Sequence, residues 1–219
     1  MIRTILGLKQ VKNRKSCLLM AIRSARYLTG RDVVTGKALG IGEMEYNVLK
    51  KDDVQMYQLY YEHFFSGIAM YLIAIDCIGC LFDNTEIMSK ENNGIGRALE
   101  NFSLLDKDKI EAIKDLRNTL AHNYGLATEN TLPNGRPKKH KHKFTLSFSD
   151  KKEAIRTPKR DWDGDYNNKK QSNFTIIGIP SFCDTIESII ANVYKCFESG
   201  LLKLRIDENE AKTRFTVLV

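Results

Sequence analysis

Residues 53–82, DVQMYQLYYEHFFSGIAMYLIAIDCIGCLF, decide the fold class. Val54, Tyr57, Tyr61, Phe64, Phe65, Ile68, Leu72 and Ile75 fall on one helical stripe, and from Phe64 onward the apolar residues run nearly all round. A helix that is apolar on every side is buried on several sides or crosses a membrane. The run 64–82 has the length of a span. It contains Asp76, however, and follows Tyr57, Tyr60 and Tyr61 at helical spacing, which favours the central helix of a bundle with no membrane.

Working outward, residues 13–27 read as a first helix, and residues 29–51, with Gly30, Gly36, Gly40 and Gly42, as a long connection. After a polar turn over 84–96, a short helix is expected over 95–102. Asp106 is placed to cap a further helix running to about Asn123, with Gly125 as its stop. A loop over 128–143 contains Pro133, Gly135 and Pro137. Phe144, Leu146 and Phe148 then alternate with polar residues, as do Phe174 and Ile176, predicting two strands around a charged loop. Pro180 opens a last helix over about 181–203, and residues 214–219 read as a third strand of the same sheet. The architecture this predicts is mainly α: one domain over 1–219, an up-down helical bundle of about four main helices. A small antiparallel β-sheet and basic loop, 134–178, is inserted before the last helix.

Composition agrees with a folded chain, since 42% of the 219 residues are hydrophobic and 28% charged. The net charge of +7 is local: the segment 134–170 alone carries +7, and the remainder is neutral. That points to a polyanion partner or a solvated loop. The five cysteines, Cys17, Cys77, Cys80, Cys183 and Cys196, are odd in number and lie mostly in apolar helical patterns, which suits a reducing compartment. The basic start of the chain lacks a secretory apolar core and a cleavage pattern, so a cytoplasmic protein with a basic first helix is expected.

The chemistry concentrates in Leu116-Arg117-Asn118-Thr119-Leu120-Ala121-His122-Asn123-Tyr124. At about 100° per residue, Ile110, Ile113, Leu116 and Leu120 form a core stripe. Arg117 and Tyr124 fall inside it, while Asn118 and His122 share the other side. A guanidinium on an apolar face needs a partner, a cleft or a subunit contact. Two readings follow: Arg117 pairs with Asp76 of the long helix and His122 merely closes its own helix, or both face a ligand.

Arg117-x4-His122 with Asn118 directly after the Arg resembles the signature of the HEPN ribonuclease family. Tyr124 two residues beyond His122 resembles the Arg-x4-His-x-Tyr form found in HEPN toxins paired with a nucleotidyltransferase antitoxin. The strong likeness covers this motif; elsewhere it is architectural, and the 134–178 segment is an addition to the compact toxins. The resemblance implies a homodimer that cleaves RNA through attack of RNA's own 2′-hydroxyl, with no metal or cofactor, in a toxin or antiviral-defence role. It implies that Arg117 holds the scissile phosphate, His122 moves a proton, and Asn118 orients His122 or the phosphate, with Tyr124 in support. The alternative is a catalytically silent HEPN-like module that binds nucleotide, RNA or a protein partner.

Other signals are weaker. The run Lys138-Lys139-His140-Lys141-His142-Lys143 gives Lys138, Lys139, Lys141 and Lys143 as RNA-binding candidates, with a solvated loop rim as the competing reading. His140 and His142 lack a nearby third ligand type, so no metal is assigned. Cys77-x2-Cys80 reads as core packing, and Asp161-Trp162-Asp163-Gly164-Asp165 as a turn without the final Glu of a calcium loop.

Overall fold

The structure, a computed structural model, describes residues 1–9, 13–39, 54–87, 89–123, 125–131, 134–138, 140–148 and 152–218, with backbone alone at 54–61 and 123. The described residues form seven helices and three small sheets. The expectation of an up-down four-helix bundle with one inserted antiparallel sheet is therefore corrected to a mixed, mainly helical α/β fold. The chain divides into two compact units, residues 1–104 with 186–219 and residues 105–185, where the sequence reading has one domain with an insertion.

In the first unit the long helix forms as the periodicity requires. It is α3, Val54–Leu81, following α1 (Ile2–Ile5) and α2 (Cys17–Leu28). Ile68, Tyr71, Leu72, Ala74, Ile75, Ile78 and Leu81 are buried, and α2 and α4 (Gly94–Phe102) pack on it. The window Glu62–Leu81 has the length and hydropathy of a membrane span, and 56% of it is buried within the protein. Helix α2 starts later than the apolar pattern suggests because Ser16 accepts a hydrogen bond from the Leu19 amide at 3.2 Å and caps it. Helices α3 and α4 approach so closely that a Cβ on Gly79 would lie 1.7 Å from the Gly94 carbonyl oxygen. Only a glycine backbone permits that crossing.

A buried ion pair ties three elements of this unit. Arg26 on α2 donates Nε and Nη2 to the Glu187 carboxylate at 2.9 and 2.8 Å, and the Tyr71 hydroxyl of α3 donates to the same carboxylate at 2.7 Å. Glu187 belongs to α6, Ile179–Glu198, within which the boundary between the two units falls. Gly36, at φ +75°, leaves room for this carboxylate, which a Cβ would meet at 2.3 Å.

Two antiparallel ribbons complete the unit. β1 (Arg14–Ser16) pairs with β7 (Thr216–Leu218), and β2 (Phe82–Asn84) pairs with β6 (Leu202–Leu204). The expected strand over 214–219 is thus found in part, but Arg214 and Phe215 belong to α7, Glu208–Phe215, and the strand pairs with the chain's beginning. Asp207 explains the helix, since its carboxylate accepts from the amides of Asn209 and Glu210 at 2.8 and 3.0 Å.

The second unit is built on α5, Lys107–Asn123, and a three-stranded sheet in the order β3 (Phe144–Ser147), β5 (Thr175–Gly178), β4 (Ile155–Arg156). β3 and β5 run parallel, and only β4 is antiparallel to β5. The sequence reading has a hairpin here. The long segment between β3 and β5 instead permits a crossover, which parallel neighbours need. The inward parity of β5 also differs from the apolar alternation: Thr175 and Ile177 are buried, whereas Phe174 and Ile176 are half-buried. Trp162, 2% exposed, fills the core from the β4–β5 connection, and its indole N–H donates to the Asp165 carbonyl at 3.0 Å.

Candidate active site

Helix α5 carries the motif, and its ends form as its residues dictate. The Asp106 carboxylate accepts from the Lys109 amide at 2.9 Å, and these hydrogen bonds hold the carboxyl below the usual range. At the other end the Gly125 amide turns back to the Thr119 carbonyl at 3.2 Å. Ile110, Ala112, Ile113, Leu116, Thr119 and Leu120 are buried, as expected of the apolar stripe.

Arg117 is half-buried beside that stripe, and Asn118 and His122 are exposed. Arg117 Nη1 donates to Asn118 Oδ1 at 3.2 Å, so the asparagine carboxamide oxygen orients the guanidinium. His122 stands in the last turn of the helix, four residues after Asn118 and therefore on the same side. A guanidinium held by Asn118 and an exposed imidazole thus stand within two turns of one helix, groups able to bind an anion and to move a proton. Tyr124 lies outside the described residues. Asp76 is half-buried in the first unit and Arg117 belongs to the second.

The same face of α5 carries Asp115, three residues before Asn118 and seven before His122. Its carboxylate forms an ion pair with Lys138 and lies 3.8 Å from His142 Nε2. His142 Nδ1 meets Thr175 Oγ1 at 2.9 Å, and its ring stacks on Phe144 with centroids 5.3 Å apart. Burial pushes the imidazole of His142 below its ordinary range, against the pull of the Asp115 charge. These contacts also explain the strand parity, because buried Thr175 supplies the oxygen that a buried histidine requires.

The basic run is therefore largely engaged with its own unit. Lys138 holds Asp115, and Lys141 Nζ donates to the Asp163 carbonyl at 3.3 Å. Lys143 Nζ donates to the carbonyls of Tyr166 and Asn168 at 3.2 and 3.0 Å and lies 4.9 Å from the centre of the Phe174 ring. His140 Nδ1 is 3.1 Å from Asp161 Oδ2, and Lys139 lies outside the described residues. Among the described residues no cluster of three or more His, Cys, Asp or Glu side chains is arranged to hold a metal. None of the five cysteines is joined in a disulfide, and burial pushes the pKa of the Cys77 thiol up to about 12.

Asp115 and Thr175 are the residues that a reading of the motif alone misses. Asp115 shared the helical face of Asn118 and His122, which was a usable signal; Thr175 had none, since its partner is 33 residues away. Comparison with family models, with characterised proteins and with solved structures finds no match.

Proposed function

We propose that this protein is a metal-independent endoribonuclease of the HEPN type, acting on RNA in the cytoplasm as a homodimer, in a toxin or antiviral-defence role and with an antitoxin or nucleotidyltransferase as a further partner. The observation that carries the reading is the arrangement in the last turns of α5, where Asn118 braces Arg117 and shares its side of the helix with exposed His122. In the proposed reaction the RNA 2′-oxygen attacks the adjacent phosphorus and the bond to the 5′-oxygen breaks. The products are a 2′,3′-cyclic phosphate and a 5′-hydroxyl. His122 takes the 2′-hydroxyl proton or returns one to the leaving oxygen, and Arg117 stabilises charge growing on the phosphoryl oxygens.

The test is incubation of the full chain with mixed RNA in EDTA, beside Arg117→Ala and His122→Ala variants. Cyclic-phosphate ends from the wild type, lost in both variants with folding retained, support the reading. Cleavage that needs added metal, or that survives His122→Ala, overturns it.

A further inference from the structure

A group of exposed basic residues outside the motif flanks one end of the β3-β5-β4 sheet. β3 and β5 are parallel and β4 is antiparallel to both, so the start of β3, the start of β5 and the exit of β4 share one end. Lys143 precedes β3, Lys169 and Lys170 precede β5, and Lys159 and Arg160 follow β4. Lys143 is spent on the carbonyls of Tyr166 and Asn168 and on the Phe174 ring. By contrast, Lys159, Arg160, Lys169 and Lys170 are exposed, and among the described residues none of the four forms an ion pair. Three carboxylates share the β4–β5 connection: Asp161 faces His140, Asp163 accepts from Asn168 Nδ2 at 2.7 Å, and Asp165 Oδ1 accepts from the Asn167 amide at 2.9 Å.

An exposed aromatic accompanies these cations. Tyr166 is 57% exposed. Its ring stands edge-on to Trp162 with centroids 5.1 Å apart, and its hydroxyl donates to the Thr128 carbonyl at 3.3 Å. The ring is thereby held at two points while much of it remains open. An open ring in the same connection as these four cations suits a strand whose bases stack and whose phosphates need counterions.

We propose that this end of the sheet binds single-stranded RNA, with Lys159, Arg160, Lys169 and Lys170 on the backbone and Tyr166 stacking on a base. The assignment rests on the RNA reading above for the kind of polyanion, and it moves the RNA contacts away from the lysines of residues 138–143.

The test measures binding alone, by fluorescence anisotropy of a fluorescein-labelled short single-stranded RNA, on the full chain carrying His122→Ala. Replacing Lys159, Arg160, Lys169 and Lys170 together with serine is expected to weaken binding at least about tenfold and to lower the salt slope by roughly three. Tyr166→Ala is expected to cost about five- to hundredfold, whereas Tyr166→Phe, which keeps the ring, retains most binding. Unchanged affinity and slope in the fourfold variant overturn the proposal. Equal competition by polyglutamate overturns it in favour of an acidic protein partner. Failure of the cleavage reading shows separately, as intact binding with no RNA product from the wild type.

Discussion

Replacing Glu187 with alanine is expected to destabilise the first unit by about 3 kcal/mol, toward the lower end of the range for breaking a buried ion pair. The carboxylate receives three hydrogen bonds, two from Arg26 at 2.9 and 2.8 Å and one from Tyr71 at 2.7 Å. The side chains of Arg26 and Glu187 are 9% and 14% exposed, so water does little to screen them. Without Glu187 the guanidinium keeps the carbonyls of Val33 and Val34, at 3.2 and 2.6 Å, which are neutral acceptors. Those two contacts set the cost below the full range, because the stranded charge remains hydrogen-bonded. Replacing both partners, Arg26→Met with Glu187→Leu, removes both charges and is expected to recover most of the loss. Urea unfolding followed by far-UV circular dichroism gives the midpoints, compared at equal m-values. A loss below about 1 kcal/mol, the scale of an exposed pair, refutes the reasoning. So does a double variant no more stable than Glu187→Ala.

Three further outcomes follow from the packing. Gly79→Ala places a methyl against the Gly94 carbonyl and the Ala98 amide, backbone atoms that cannot rotate away, and is expected to cost about 3 kcal/mol by the same assay. Lys143→Ser removes two carbonyl contacts and the cation over Phe174, so it is expected to lower the unfolding midpoint of the second unit. Fluorescence of Trp162, the chain's sole tryptophan, reads that unit directly, and an unchanged midpoint contradicts the structural role of Lys143. His142 governs a pH dependence. Its folded pKa is depressed, so below the unfolded value of about 6.5 the unfolded chain binds a proton that the folded protein refuses. Stability then falls as pH drops through that value and is unaffected above it. The fluorescence midpoint of His142→Gln should change less between about pH 7.5 and 5.5 than that of the wild type, and equal slopes would rule His142 out as the source.

What the sequence disclosed depended on the range of the interaction. Helix α3 was legible because its apolar residues repeat within one segment, and α5 because Asp106 and Gly125 mark its two ends. The ribbons were not legible. Arg14–Ser16 meets Thr216–Leu218 across the whole chain, and three-residue strands carry no alternation long enough to read. Helix α7 was missed although Asp207, Glu208 and Glu210 mark a helix start, because the apolar end at Phe215–Val219 drew the reading toward a strand. At the candidate site, the exposed side shared by Asn118 and His122 followed from a 100° rotation per residue. The fate of the basic run did not, since Lys138 and Lys143 find partners 23 to 25 residues away, at Asp115, Tyr166 and Asn168.

RNA cleavage by the end of α5 with no metal is a proposal that the chemistry of the product ends decides. The protein is incubated in EDTA with an end-labelled RNA beside the His122→Ala variant, and the fragments are treated with a phosphatase before and after mild acid. The expected result is fragments whose phosphate resists the phosphatase until acid opens a 2′,3′-cyclic ring, and no fragments from His122→Ala. Fragments carrying a 5′-phosphate, or cleavage undiminished in His122→Ala, would contradict it.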